Sequence, residues 1–227
     1  MTSRRGKLIV LEGAEGVGKT TQIRRLGETL TARGIPFIAV REPGGTAVGN
    51  EIRRLVLEPG PGFSPRTEAL LFMASRSELV ERDILPAIAR GEVVLADRFF
   101  LSTYAYQIAG RGLPEGDVTN ANRFATGGLV PDLTILLRLP IRDALARTDS
   151  RGARDRIEAA DDEFHHRVAE AFDGFAASEW QATHPEAGPV VAVDGSGSVD
   201  EVAASIIGVL EHRWPETFRS AVGSHHD

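Results

Sequence analysis

The sequence predicts an α/β fold in which a parallel five-stranded sheet is covered by helices on both faces. Two observations carry that prediction. Short continuous apolar runs alternate along the chain with stretches of helical period, the pattern of strands buried on both faces and joined by crossover helices. The first such run, within KLIVLEGAEGVGKTT from Lys7 to Thr21, leads directly into a glycine-rich loop and then a helix.

That loop, Gly13 to Thr20, fits GxxxxGK[ST], and its fixed positions have physical reasons. Gly13, Gly16 and Gly18 let the backbone take positive φ and turn its N–H groups inward, and Ala14, Glu15 and Val17 complete the cradle for phosphate oxygens. Lys19 would reach the β- and γ-phosphates of a nucleotide, and the Thr20 hydroxyl would ligate Mg²⁺. The helix that follows carries Ile23, Leu26 and Leu30 on one face, as the motif requires. Lys7 and Lys19 are the only lysines among 26 basic residues, so a generic surface cation here would be arginine. The stretch is a P-loop, and the fold class is that of P-loop NTPases.

The remaining elements follow in order. Gly34 and Pro36 end the first helix, and Phe37 to Val40 form a second strand. REPGGT, Arg41 to Thr46, is a tight loop at the carboxyl edge of the sheet, where α/β proteins place ligands, although its composition alone is that of an ordinary turn. A helix from about Val48 to Leu57 is apolar at positions 48, 52, 55 and 56 and carries Arg53 and Arg54. Pro65 to Arg90 reads as helix with a bend at Pro86. Phe72 and Arg76 share one face of it, and an aromatic and a guanidinium so placed could stack on a base and bond its edge; without further context Phe72 reads as core.

Val93 to Ala96 form the third strand, ending in Asp97 and Arg98. An acidic residue at such a strand tip in a P-loop protein is placed to hold Mg²⁺, and Arg98 could bridge donor and acceptor phosphates; apart from the P-loop, the two also read as a salt-bridged pair capping the strand. STYAYQ, 102 to 107, offers hydroxyls and an amide on one short helical turn, closed by GRG. A helix at Pro114 to Thr126 and a fourth strand at Leu133 to Leu139 follow. From Ile141 a helix leads into RTDSRGARDR, whose arginines are on composition alone a solvated charge run, although Arg147, Arg151 and Arg154 fall on one stripe beside Gly152, as in a lid, about 147 to 157, over phosphates. A helix from Asp161 to Trp180, a fifth strand at Val190 to Val193 and a last helix, opened by a Ser198/Glu201 capping box, complete the domain, 1 to 214. Residues 215 to 227 read as a polar, disordered tail.

Composition bounds the rest. At 227 residues, 42% apolar and 26% charged, with net charge −6, the chain is globular and not a broad nucleic-acid binder. No apolar run reaches membrane length and no signal-like segment precedes the first strand, so a cytoplasmic protein with no membrane or nucleic-acid partner is expected. Without cysteine, disulfide frameworks and thiolate chemistry are excluded. A regulatory GTPase needs Asn-Lys-x-Asp, which lysines at 7 and 19 cannot supply, and no segment resembles the signature of a transporter-type ATPase. A small-molecule kinase fits better.

GAEGVGKTT, REPGGT, LFMASR, DRFFLSTYAYQ with GRG, PDLTILL and RGARDRIE resemble, in order and spacing, the motifs of bacterial thymidylate kinases over roughly residues 7 to 210. The resemblance implies transfer of the γ-phosphate of ATP to dTMP, with Mg²⁺, by a homodimer. It also implies roles: Phe72 stacking on thymine, Arg76 bonding its edge with Ser102 and Gln107 nearby, Glu42 and Pro43 in the acceptor loop, and Arg53 and Arg98 on the acceptor phosphate. Tyr106 would lie under the deoxyribose and disfavour a 2′-hydroxyl, and Glu15 near the sugar or metal. The P-loop, like that of the family, lacks an arginine, so Arg151 and Arg154 of the lid would supply the transition-state charge and Arg147 would help hold ATP. The strand after PDLT departs from the family by ending Leu137, Arg138, Leu139. A kinase for another monophosphate and a nucleotide-binding regulator without catalysis stay open beside this reading.

Overall fold

In the computed structural model, which describes residues 5–60, 62–140, 142–144, 147 and 155–219, the first apolar run forms β1 (Lys7–Glu12) at the centre of the sheet. It pairs on one side with β3 (Val93–Asp97) and on the other with β4 (Leu133–Arg138); β2 (Phe37–Arg41) and β5 (Val190–Asp194) complete the edges. The order is β2-β3-β1-β4-β5 and each of these pairings is parallel. The five-stranded α/β architecture read from the apolar runs is therefore present.

Alternate residues of β1 serve two cores, as the period of a strand demands. Leu8 and Val10 join Val94, Ala96 and Leu136 on one face, under Leu79, Val80, Ile84, Leu101 and Tyr104. Ile9 and Leu11 join Leu95, Ile135 and Leu137 on the other, under Leu26 and Leu30 of α1 (Lys19–Ala32) and Ile206 and Leu210 near the C-terminus. Because both faces are covered, only the carboxyl edge of the sheet is left for chemistry.

Elsewhere the structure departs from the sequence pattern in instructive ways. Helix α2 (Ala47–Leu57) buries Val56 fully, whereas its apolar residues Val48 and Leu55 are exposed. The long helical stretch runs as α3 (Pro65–Leu79), a π-helical stretch (Val80–Ile84) and α4 (Leu85–Ala89), so the irregularity sits ahead of Pro86. The wider π-turn accommodates the proline, which has no N–H and crowds the carbonyl one turn earlier. STYAYQ is not one short turn: α5 (Phe100–Ser102) continues as a second π-helical segment, Thr103–Gly110. After α6 (Glu115–Thr126), the single helix expected over Asp161 to Trp180 is two, α7 (Asp162–Gly174) and α8 (Ser178–Thr183), parted where Phe175 turns into the core.

The final helix α9 (Val199–Arg213) begins with the expected Ser198/Glu201 capping box. The tail reading is corrected for its first residues: Pro215–Phe218 form a short helix α10 with Phe218 fully buried, and the Phe218 carbonyl accepts from Arg33. An aromatic side chain large enough to close the core outweighed the polar composition around it. The rest of that tail lies outside the described residues. Among the described residues, no helix is long and apolar enough to cross a membrane.

Candidate active site

The three central strands end together. Register pairs Leu11 of β1 with Asp97 of β3, so the loop after β1 and the tip of β3 meet at one point of the carboxyl edge. At that point Gly13, Gly16 and Gly18 all have positive φ, as the P-loop reading requires. Gly13 is fixed sterically as well, since a Cβ there would lie 2.5 Å from the Leu137 carbonyl. Helix α1 starts at Gly18 with no side-chain cap and no acidic residue in its first turn, which leaves its N-terminal amides and positive dipole end for an anion.

Lys19 lies under this loop, its Nζ donating to the carbonyls of Gly13 (2.9 Å) and Ala14 (2.7 Å). Burial, reinforced by nearby Arg98, lowers its pKa to about 7 against the opposing pull of Asp97, Glu12 and Glu15. The Thr20 hydroxyl donates to Asp97 Oδ2 at 2.6 Å, bringing the two expected metal ligands together. Arg98 is the one non-glycine residue with positive φ among the described residues (φ 74), a conformation that costs about 1–2 kcal/mol. Its guanidinium lies over the Tyr106 ring (5.1 Å) and donates from Nη1 to Ser102 Oγ (3.0 Å) and the Gly13 carbonyl (3.3 Å). Burial alone would lower the Arg98 pKa, but Tyr106, Glu12, Glu15 and Asp97 together raise it, so the cation is permanent. The Tyr106 hydroxyl reaches Glu15 of the P-loop at 3.2 Å, and burial raises its pKa.

A single cleft of about 1310 Å³ joins these groups to the other expected residues: Glu42, Pro43, Arg53, Phe72, Arg76, Ser102, Gln107 and Arg147 all line it. That volume exceeds a single-ligand pocket and leaves room for two nucleotides. Phe72 belongs to the cleft wall and not to the core, half-buried and outside the packed clusters. Arg53 donates to the Pro43 carbonyl at 2.9 Å, and burial lowers its pKa.

Arg76 is a different object from the free base reader that its spacing suggested. It is 3% exposed, with Nε on Glu42 (2.6 Å), Nη1 on Thr103 (2.7 Å) and Asn122 (2.6 Å), and Nη2 on the Phe99 carbonyl (2.9 Å). Those bonds leave one N–H, on Nη2, of the five that a guanidinium carries. Burial raises the partner Glu42 to a pKa of about 7 despite Arg76. Glu42 Oε1 and Gln107 Nε2 line the cleft, are buried and have no partner among the described residues, which is unfavourable unless a ligand completes them. Ser102, which also lines the cleft, accepts from Arg98 and donates to Glu12.

Sequence reasoning missed two groups. Glu12 lies fully buried one residue ahead of the P-loop; a charged residue ending an apolar strand was the available signal. Gly195, Gly197 and Ser198 line the cleft beside the P-loop, and the turn-rich DGSGS at the carboxyl edge carried the same signal as REPGGT. Arg138, the departure at the end of β4, points to the Asp173 carbonyl of α7. Arg151 and Arg154 lie outside the described residues. Just beyond them Arg156 donates to the Val56 carbonyl and to Glu68, both at 2.8 Å, fixing the end of that segment to α2 and α3.

The thymidylate kinase family model matches residues 11–205, spanning the P-loop, the Asp97–Arg98 tip and every other wall of the cleft. The chain belongs to the thymidylate kinase family. It is similar to the thymidylate kinase of Synechococcus sp. (strain JA-2-3B'a(2-13)), 47% identical over 91% of this chain and 95% of that protein. The thymidylate kinase of Carboxydothermus hydrogenoformans is 43% identical over 91% of this chain and 98% of its own length. That of Cutibacterium acnes is 46% identical over 80% and 85%.

The Lys19 shift has a measurable consequence. An unfolded lysine keeps its proton to about pH 10, so between pH 7 and pH 10 the unfolded chain holds more protons here and folding stability rises with pH. Below pH 7 the cost of the buried ammonium is fully present. Lys19→Met should therefore raise the melting temperature of the ligand-free protein at pH 6, by several degrees, and raise it less at pH 10. Calorimetry that finds equal gains at both pH values would show that Lys19 is not depressed.

Proposed function

We propose that this protein is a cytoplasmic thymidylate kinase that transfers the γ-phosphate of ATP to dTMP to give dTDP. The observation that carries the reading is that one cleft is lined by the P-loop, by Arg98 and by Glu42, Arg53, Phe72, Arg76 and Gln107. ATP lies with its phosphates on Gly13 to Thr20 and its base toward Gly195 and Ser198. The acceptor lies opposite, its thymine against Phe72 and within reach of the Arg76 Nη2 proton and the Gln107 amide, its phosphate between Arg53 and Arg98. Tyr106, buried and tied to Glu15, closes the space where a 2′-hydroxyl would point.

Mg²⁺ fits the donor set, since Thr20 and Asp97 offer adjacent hard oxygens and this ion takes few protein carboxylates beside phosphate and water. Bound there, it would offset charge on the β- and γ-phosphate oxygens. The chain's own part is positioning and charge. Lys19, recharged by the incoming phosphates, neutralises the moving phosphoryl group, while Arg98 lies across the line between the two phosphates and needs no covalent intermediate. The apolar side chains Val48, Leu55, Leu70 and Phe124, the last 90% exposed, lie on α2, α3 and α6 and support a homodimer packed through that layer.

A coupled ADP-release assay across nucleoside monophosphates tests the assignment. dTMP should be the best acceptor, dUMP weaker by the methyl contact, about 10- to 200-fold, and AMP and CMP near background. AMP or GMP as best acceptor would overturn it. Arg151 and Arg154 are assigned to the transition state, so Arg151→Ala and Arg154→Ala should each lower kcat by about a hundredfold or more with little change in ATP KM. Wild-type kcat in both and in the double variant would remove that segment from the mechanism.

A further inference from the structure

Glu12, the last residue of β1, has no exposed surface, and its carboxylate is satisfied by one short turn. Oε1 accepts from the N–H groups of Phe99 (2.7 Å) and Ser102 (3.0 Å), and Oε2 from the Ser102 hydroxyl (2.8 Å). Ser102 Oγ in turn accepts from Arg98 Nη1 at 3.0 Å. A hydroxyl that gives its proton to a carboxylate can only accept from a third group, so the relay runs in one direction, from guanidinium to hydroxyl to carboxylate. The same bonds grip the backbone just after Arg98, the residue held in the left-handed conformation. A buried carboxylate is tolerated only where its hydrogen bonds are met, and every bond here is met by the turn that carries Arg98.

We propose that Glu12 is the positioning residue for Arg98, holding its guanidinium through Ser102 and the Phe99–Ser102 backbone in the place where it bridges donor and acceptor phosphates. Two further features agree with this. Arg98 lies over the Tyr106 ring and against the Gly13 carbonyl, and it lines the cleft. Glu12 joins β1 to the tip of β3 at the register where the two loops meet, so the carboxylate sets the distance between the P-loop and Arg98. The inference rests on the reading of Arg98 as a phosphate-binding residue.

The test is a double-mutant cycle of Glu12→Gln and Arg98→Ala in steady-state kinetics with ATP and dTMP. Glutamine keeps an acceptor for both backbone N–H groups while removing the charge and turning an N–H toward Ser102. Glu12→Gln should lower kcat/KM for dTMP about tenfold or more, with ATP KM changed less than about threefold. Added to Arg98→Ala it should cost less than about threefold further, because its effect passes through an arginine already gone. Wild-type kinetics in Glu12→Gln, or penalties that multiply in the double variant, would overturn the proposal. Wild-type kinetics in Arg98→Ala would instead remove the role of Arg98, and the inference with it. Should Glu12→Gln not fold, Ser102→Ala cuts the relay while leaving the carboxylate and both backbone bonds, and the same cycle applies with the same expectations.

Discussion

A parallel sheet covered on both faces leaves its carboxyl edge as the place where polar chemistry can reach solvent, and here that constraint places almost everything. With β1 flanked by β3 and β4, the P-loop, the Asp97–Arg98 tip and the end of β4 emerge side by side. The edge loops after β2 and β5 then wall the cleft from its two ends. The REPGGT loop and α3 line one part of the cleft, and the P-loop and the loop before α9 line another.

The electrostatics of the cleft follow from this convergence. Lys19 and Arg98 are brought near one another before any phosphate arrives, and each is shifted in the opposite sense: burial lowers the lysine pKa, while Tyr106 and the nearby carboxylates raise that of the arginine. A site so arranged gains most when a polyanion enters, because the phosphates meet both groups at once. Glu42 and Arg76 form a second buried pair behind the acceptor wall, braced by Thr103, Asn122 and the Phe99 carbonyl. Removing one member of such a pair leaves a buried charge, so it acts as a rigid support as much as a recognition group.

The sheet and the glycine loop after β1 were legible in the sequence because both depend on local pattern: four-residue apolar runs, and glycines where φ must be positive. What was not legible depends on long-range partners. The π-helical stretches at 80–84 and 103–110 leave no clear mark on a 3.6-residue period. Arg76 looked like a free recognition arginine because Glu42, Thr103 and Asn122 come from three other segments. Phe218 was read as tail because it joins a core cluster with Leu26, Leu30 and Leu210, which lie far away in sequence or on another element. Glu12 was overlooked as a strand terminus beside a stronger motif, although a buried acid in that place has to have partners.

The central claim is that both nucleotides occupy one cleft and that phosphate passes directly between them, with Lys19 and Arg98 supplying charge and no side chain accepting the phosphoryl group. The stereochemistry at phosphorus tests this most directly. With ATP made chiral at the γ-phosphorus by oxygen isotopes and dTMP as acceptor, one in-line displacement gives dTDP with inverted configuration. Retention would require two displacements through a phosphorylated residue and would contradict direct transfer.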